Sequence, residues 1–374
     1  MLNKNSIYKI KDSIDLFLSN NSYIMVYYMN TRQRKTFKIN QEMIHLIEQI
    51  DGEKTLFELC NIMKVYDVSP ADVENTIEYM IKNRIVTEII SNKSILTETD
   101  KIQYSRQINY FTEFLNGEIE GESAHKKILE AHVTIFGCGA IGGNIALELA
   151  MAGISKFTLY DYDVVEESDA SRHMYFRNDY IGLPKVEALA KEIKIINNYA
   201  DIKCINENMR PDTNIEDIIR GSDMVVNTLD EPYIGYTSLK ISRVCMKYNI
   251  AHYIAGGFDA HLASTGELII PYVTPCVECY ASHFKKSLAG WKPKKHPVLQ
   301  RYNEIGGLAS MSLFSTSYAC IEILKYLAGL VDIKTTYKTR GEFLFKNMEL
   351  TYLNVKKNPS CPICGKERKI ETKA

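Results

Sequence analysis

Between residues 23 and 39 the apolar positions fall in two short bursts. Tyr23-Ile24-Met25-Val26-Tyr27-Tyr28 is dense in β-formers, a polar turn runs from Asn30 to Gln33, and Thr36-Phe37-Lys38-Ile39 follows. That pattern predicts a hairpin. The rhythm then lengthens: Met43, Leu46, Ile47 and Ile50 recur at helical spacing, and Asp51-Gly52 ends the run. Thr55 with Glu58 forms a capping box at the start of a second helix. Ser69-Pro70 opens a third, with an apolar stripe at Val73, Ile77, Met80 and Ile81, and Ile85 to Ile89 reads as a closing strand. A hairpin followed by three short helices predicts a winged-helix domain over residues 1–90. Residues 91–130 read as a polar linker with some helix.

Farther on, strand-like runs alternate with helical ones. His132 to Phe136 is a buried-strand run, a glycine loop and a helix from Asn144 to Met151 come next, and Lys156 to Asp161 is a second strand. This is a βαβ unit. Asp223 to Asn227 and His252 to Ala255 add strands, and Leu308 to Leu330 is a long apolar-striped helix. The expected fold over residues 131–374 is α/β, a Rossmann-like and mostly parallel sheet.

Composition narrows the function classes. The chain has 374 residues, 45% hydrophobic and 24% charged, with a net charge of −1. Nothing in that balance marks a polyanion binder. The third helix region carries Lys82 and Arg84 against Asp72, Glu74 and Glu78, a poor surface for phosphate backbones, so no nucleic-acid partner is expected. No apolar run is long enough to span a membrane, and Met1 to Lys11 lacks a signal-peptide core, so a cytoplasmic protein is expected. Nine cysteines, five of them isolated (Cys60, Cys138, Cys204, Cys245, Cys320), suit a reducing compartment with one metal site. The remaining four form two CxxC pairs, Cys276/Cys279 and Cys361/Cys364, 81 residues apart. Four thiolates close a tetrahedral Zn2+ shell and leave no position for substrate, so the zinc is expected to be structural.

The glycine loop is the candidate centre of chemistry. Gly137-Cys138-Gly139-Ala140-Ile141-Gly142 follows a strand and opens a helix, and Asp161 lies 19 positions after its last glycine. Such an acid holds ribose hydroxyls in a dinucleotide fold. On this motif alone a nicotinamide-dependent dehydrogenase and an ATP enzyme are equally compatible.

The following residues favour ATP. Asp161-Tyr162-Asp163, Asp169-Ala170-Ser171-Arg172-His173, Gly182-Leu183-Pro184-Lys185 and Thr228-Leu229-Asp230, with Tyr104-Ser105-Arg106-Gln107 upstream, resemble the ubiquitin-activating-like adenylyltransferases. That superfamily includes MoeB, ThiF and the enzyme that builds microcin C. The resemblance covers about Tyr104 to Gly365. It implies that Gly137, Gly139, Ala140, Ile141 and Gly142 cradle ATP and that Asp161, with Asp163 nearby, holds the ribose. It implies that Arg172 and Lys185 neutralise the triphosphate, that Asp230 holds Mg2+, and that Arg106 reaches into the partner's site in a homodimer. One departure stands out: Asp169 replaces the usual Asn three residues before the arginine, adding a carboxylate beside the nucleotide. Residues 1–90, with Ile50 to Thr55, resemble the PqqD-like precursor-peptide recognition domain. This implies that a leader peptide adds a strand to the hairpin edge, chiefly along Tyr23 to Tyr28, and packs on the third helix.

Ubiquitin-type activators pass their adenylate to a cysteine, usually after the first CxxC. There is none from Tyr280 to Ala319, and Cys320 lies in an apolar helix, so no thioester intermediate is expected. Lys285 to Arg301 reads as a solvated loop that could close over a bound peptide. The sequence therefore reads as a homodimeric adenylyltransferase acting on the C-terminus of a ribosomally made peptide. Its rivals are an activator of a ubiquitin-like sulfur carrier and a non-catalytic leader-binding partner of a cyclodehydratase.

Overall fold

The computed structural model describes residues 2–19, 22–89, 95–115, 118–290, 306–331 and 340–365. They form two compact units, Met1–Lys126 and Lys127–Ala374. No helix among the described residues is long and apolar enough to cross a membrane.

The first unit holds β1 (Ile7–Ile10), β2 (Ile14–Leu18), β3 (Tyr23–Tyr28), β4 (Gln33–Lys38), α1 (Gln41–Gln49), β5 (Asp51–Thr55), α2 (Leu56–Met63), α3 (Pro70–Lys82), β6 (Val86–Ile89), α4 (Glu98–Gln103) and α5 (Ser105–Phe114); α6 (Glu118–Glu130) leads into the second unit. The predicted capping box forms as read: the Thr55 hydroxyl accepts from the Glu58 N–H and the Glu58 carboxylate from the Thr55 N–H. Ser69 caps α3, with Pro70 in its first turn. Val73, Ile77 and Met80 of α3 join Leu56, Leu59 and Met63 of α2 and Val26 of β3 in one core, while Ile81 packs at its margin.

Two features depart from the sequence reading. The hairpin β3–β4 is the larger part of a three-stranded sheet, because Ile14–Leu18 pairs antiparallel with β3. Tyr23–Tyr28 therefore has a strand on both sides and offers no edge; the leader-pairing strand expected there is displaced, and among the described residues the edges are β2 and β4. Moreover, Asp51–Thr55, where the sequence reading saw a helix stop at Asp51-Gly52 and a cap at Thr55 but no strand, is itself a strand paired with β1. Its polar sequence hides it, since β-pairing there is carried by backbone rather than by apolar alternation. The stretch read as a linker carries α4, α5 and the whole of α6.

The second unit runs β7 (His132–Phe136), α7 (Gly142–Met151), β8 (Lys156–Tyr160), α8 (Lys185–Ile196), β9 (Asp201–Ile205), α9 (Glu216–Ile219), β10 (Met224–Asn227), α10 (Ile234–Tyr248), β11 (Ala251–Ile254), β12 (Phe258–Asp259), β13 (Leu262–Ser264), β14 (Glu267–Ile269), α11 (Val277–Ser287), α12 (Ala309–Leu327), β15 (Arg340–Leu344) and β16 (Glu349–Leu353). Its main sheet has the order β14-β11-β10-β7-β8-β9, parallel except for β14. The chain winds outward from β7 through β8 to β9, then crosses to β10 on the other side of β7. Strand order thus reverses between β7 and β10, and ligands of open α/β sheets bind outside the carboxyl ends of strands at such a point. The glycine loop follows β7, and Thr228-Leu229-Asp230 follows β10. A second sheet, β12-β13-β15-β16, is antiparallel. Lys285 and Lys286 belong to the last turn of α11 rather than to a loop; the rest of the stretch read as a mobile loop, from residue 291, lies outside the described residues.

Candidate nucleotide and metal sites

Side chains outside the glycine motif fix the loop, and two of them, Tyr175 and Ser312, were not singled out in the sequence reading. The Tyr175 hydroxyl donates to the Cys138 carbonyl at 2.6 Å, the Thr228 hydroxyl to the Gly137 carbonyl at 2.9 Å, and the Ser312 hydroxyl to the Ala140 carbonyl at 3.0 Å. The loop's acceptors are taken by protein, and the N–H groups at the start of α7 are the donors a phosphate would meet. The three glycines differ in role. Gly137 has φ +90°, and a side chain there would strike the Thr228 hydroxyl; a Cβ at Gly142 would lie 1.9 Å from the Gly137 carbonyl oxygen. Those two are demanded by the loop itself. A Cβ at Gly139 would meet nothing within 4 Å. The open space at Gly139, beside a helix N-terminus, fits a nucleotide phosphate.

Asp161 directly follows β8 and is buried. Its carboxylate accepts from the Cys138 N–H at 2.6 Å and the Asp163 N–H at 2.9 Å. Burial pushes its pKa up, against the pull of those N–H donors. The residue ties the glycine loop to the following turn, which carries Asp163.

The cations predicted for the triphosphate come together with two carboxylates. Lys185 begins α8, and its ammonium lies 3.0 Å from Asp163 and 4.0 Å from Asp169. Burial depresses its pKa, but the two carboxylates outweigh that and the net shift is upward, so it is charged at neutral pH. Asp169 is buried and accepts from the Glu166 N–H at 3.0 Å; the Arg172 guanidinium is 3.7 Å away and the His173 ring nitrogen 3.3 Å away. The carboxylate that departs from the family pattern is thus an internal counter-ion for both cations. His173 is buried with one ring nitrogen unpartnered among the described residues, and burial pulls its pKa down to about 4. Arg172 leaves 44% of its side chain exposed. Its carbonyl accepts from the amide of buried Asn144, whose own oxygen accepts from the Met174 N–H. Asn144 therefore clamps the arginine's loop onto α7.

Asp230 is exposed and shares a cavity of about 450 Å3 with Ile141 and Thr228. Arg106 is exposed on α5 of the first unit. In that unit a second cavity, of about 550 Å3, lies between the inner face of β2–β3–β4 and helices α1 and α3. Leu16, Ile24, Phe37, Met43 and Tyr79 line it, and Phe37 of edge strand β4 meets Tyr79 of α3 edge to face at 5.8 Å.

Cys276, Cys279, Cys361 and Cys364 are all buried, with their sulfurs within 4.8 Å of one another. Two cross-pair distances are 3.6 and 3.4 Å. Four ligands at the usual Zn–S length of 2.3 Å stand about 3.8 Å apart in a tetrahedron, so the group is close to the size of a metal shell. Among the nine cysteines only Cys204 is exposed. Although the residue is exposed, its sulfur is partly shielded where the thiol donates to the Val186 carbonyl, and that desolvation pushes its pKa up. None of the cysteines outside the four-sulfur group is placed as an activated thiolate. Cys320 is buried against α7.

Comparison with known proteins agrees with this geometry. The ThiF family model matches residues 104–363. Protein HesA (vegetative) of Trichormus variabilis is 26% identical over 278 residues, covering 72% of this chain and 91% of that protein. The SAMP-activating enzyme E1 of Haloferax volcanii is 24% identical over 273 residues, 72% of this chain and 91% of that one. Among solved structures, E. coli MccB with ATP superimposes with a TM-score of 0.70 at 17% identity, covering 96% of this chain and 99% of the other. PaaA gives 0.68 at 18% identity, covering 93% and 100%. At such identities the structural likeness speaks for the fold.

Proposed function

The chain belongs to the ThiF family, and from that premise we propose that this adenylyltransferase uses ATP to activate the C-terminus of a ribosomally made precursor peptide. The observation that carries the peptide reading is the apolar cavity of the first unit beside edge strand β4. An extended peptide pairing with Gln33–Lys38 would gain backbone hydrogen bonds from the strand and seat alternate side chains between Phe37, Met43 and Tyr79. The fold match to MccB supports this, since it covers 96% of the chain and so takes in most of the first unit. MccB is described as a microcin C7 biosynthetic enzyme and has been solved in complex with N-formylated MccA.

In this reading Gly137, Gly139, Ala140, Ile141 and Gly142 cradle the nucleotide, and Asp161 with Asp163 holds the ribose. Arg172 and Lys185 bind the phosphates. A carboxylate oxygen of the peptide attacks the α-phosphorus; the new C–O–P bond forms as the bond to pyrophosphate breaks. Negative charge grows on the phosphoryl oxygens and the leaving group, where preorganised cations stabilise it most. Lys185 and Arg172 rest on Asp163 and Asp169 in the free protein, so nucleotide binding exchanges carboxylate partners for phosphate ones. Asp230 would hold Mg2+, which supplies charge neutralisation at the phosphates. Arg106 would act across a homodimer. The four cysteines would hold a structural Zn2+ that ties α11 to the C-terminal turn. The absence of an activated cysteine outside that group supports transfer or release of the adenylate without a thioester.

A second reading is an activator of a ubiquitin-like sulfur carrier, favoured by the curated relatives. These include Adenylyltransferase and sulfurtransferase MOCS3 of Caenorhabditis briggsae, 25% identical over 279 residues. ATP–pyrophosphate exchange separates the two. The full chain should exchange pyrophosphate with a short precursor peptide, where one is encoded beside its gene, and Tyr79→Ala should raise the peptide concentration needed. Exchange driven instead by a ubiquitin-like protein ending in Gly-Gly, with Tyr79→Ala silent, refutes the peptide reading.

A further inference from the structure

The edge that β4 offers is positively charged. Gln33–Lys38 holds Arg34, Lys35 and Lys38 and no acidic residue, and Arg32 precedes it. All four cations are exposed, and none has a carboxylate partner among the described residues. The Arg34 guanidinium lies 5.7 Å from the Tyr27 ring centroid and the Lys35 ammonium 5.2 Å from that of Tyr28. A guanidinium stacked on a ring keeps its N–H donors free for an anion.

Alternation along the strand sorts these side chains. Phe37 pairs with Ile24 and Lys35 with Val26, and both partners are buried beneath the sheet, so these positions belong to the inner face. Arg34, Thr36 and Lys38 belong to the outer face, opposite Tyr27, Met25 and Tyr23. Asp15 of β2 shares that face, but Tyr27 stands between it and Arg34. A strand added beside β4 inherits the same division. Its inward side chains meet Phe37, Met43 and Tyr79, with Asp72 on the α3 wall. Its outward side chains run beside Arg34, Thr36 and Lys38, the two cations being about 13 Å apart along the strand. An acid on the outer row faces an unpaired cation; on the inner row it meets apolar surface and the Asp72 carboxylate.

We infer that β4 recognises an acidic leader segment: two carboxylates four residues apart beside Arg34 and Lys38, and between them an apolar residue turned into the cavity beside Phe37. The inference rests on the peptide reading above and adds the leader's charge and register to it. Phe37 is one residue from Lys38 and three from Arg34. The leader pattern is therefore Glu-Leu-x-x-Glu for an antiparallel strand and Glu-x-x-Leu-Glu for a parallel one, with Asp and other apolar residues as equivalents. Nucleic acid suits the surface less well. Helix α3 alongside carries Asp72, Glu74 and Glu78 against Lys82, and phosphates need cations on every side. The free N–H and C=O groups of a strand edge are matched by another strand.

The test measures binding of synthetic peptides to the full-length protein by fluorescence anisotropy. Pools of labelled dodecapeptides carry either pattern with Leu fixed, with Glu, Gln or Lys at both outer positions, and with the other positions randomised over uncharged residues. At low salt the Glu pool of one pattern should bind about tenfold more tightly than its Gln pool, the combined effect of two cross-strand charge pairs. The Lys pools should bind more weakly than either. Raising NaCl to about 0.5 M should remove most of the Glu advantage. The double variant Arg34→Glu/Lys38→Glu should reverse the order and favour Lys over Glu, a gain that a misfolded protein cannot show. Equal binding by Glu, Gln and Lys pools overturns the inference and leaves the peptide reading standing, as does a Glu preference that the double variant keeps. An oligothymidylate that binds more tightly than every peptide pool assigns the cations to nucleic acid and overturns it too. If no pool binds the wild type, the peptide reading falls and this inference with it.

Discussion

Replacing Asp169 by asparagine should make ATP bind more tightly. Asp169 lies 4.0 Å from the Lys185 ammonium and 3.7 Å from the Arg172 guanidinium. At an effective dielectric of about 20, a unit pair at 4 Å is worth about 4 kcal/mol. The Arg172 share is largely screened, since that side chain is nearly half exposed. Lys185 is the better-shielded partner, with 13% of its side chain exposed. It keeps Asp163 at 3.0 Å in the variant, so it does not lose its last counter-ion. An asparagine oxygen can still accept from the Glu166 N–H, which preserves the turn. What is lost is the competition between this carboxylate and the incoming phosphates. If about a third of the Lys185 pair interaction appears in binding, ATP affinity rises about tenfold, or about 1.4 kcal/mol. Calorimetry with ATP and no peptide, at fixed Mg2+, measures this directly. Unchanged or weaker binding in a variant with the wild-type unfolding midpoint would refute the counter-ion account. Weaker binding that more Mg2+ restores would mean that Asp169 works as a metal-side group.

The other predictions are brief. Lys185→Ala and Asp230→Ala should each cut pyrophosphate release by on the order of 10²–10³ while peptide binding persists; wild-type turnover in either removes that residue from the site. The purified protein should contain about one zinc per chain, and Cys361→Ser should lose both the metal and much of the stability, because metal-binding energy is folding energy; elemental analysis of protein never exposed to chelator checks it. His252 is fully buried between the Ile250 carbonyl and the Ser242 hydroxyl, and burial pulls its pKa down to about 4. The unfolded chain binds that proton first, so the stability from keeping His252 neutral is complete above about pH 6.5 and is lost as pH falls toward 4. Between pH 7.5 and 5.5 the loss should be about 1.3 kcal/mol from this residue, and urea unfolding of His252→Gln should show a correspondingly smaller decline.

Sequence reasoning reached the elements whose signals are local. The Thr55/Glu58 capping box, the α3 stripe and the βαβ unit around the glycine loop each rest on residues a few positions apart, and each forms as read. It failed where pairing is long-range and carried by backbone. Strand β5, Asp-Gly-Glu-Lys-Thr, has no apolar rhythm; its order comes from β1 more than forty residues upstream. Missing β2 had a larger consequence, because an unseen partner turns an apparent edge into a centre. The edge open to the proposed leader strand therefore moves from β3 to β4, from an apolar strand to one reading Gln-Arg-Lys-Thr-Phe-Lys. A charged, polar edge that protects a free protein from unwanted pairing is what an exposed strand requires.

The same limit applies at the nucleotide site. The ligand-facing positions carry motif letters, since glycines, lysines and aspartates at fixed spacing have few other uses. The residues that hold those positions in place do not. Tyr175, Ser312 and Asn144 come from three separate stretches, and each donates a hydrogen bond to a carbonyl of the loop or of Arg172 beside it. Any of them alone reads as an ordinary buried polar residue. Only the folded arrangement reveals that together they take up loop carbonyls and leave the N–H face for phosphate. Asp169 shows the converse. As a motif departure it suggests a penalty to nucleotide binding. In the fold it sits between the cations it would oppose. On the proposed reading a carboxylate so placed would lower affinity for the triphosphate while keeping Lys185 and Arg172 gathered and oriented before ATP arrives. If the asparagine variant binds ATP more tightly but turns over no faster, that ordering before binding is what the extra charge contributes.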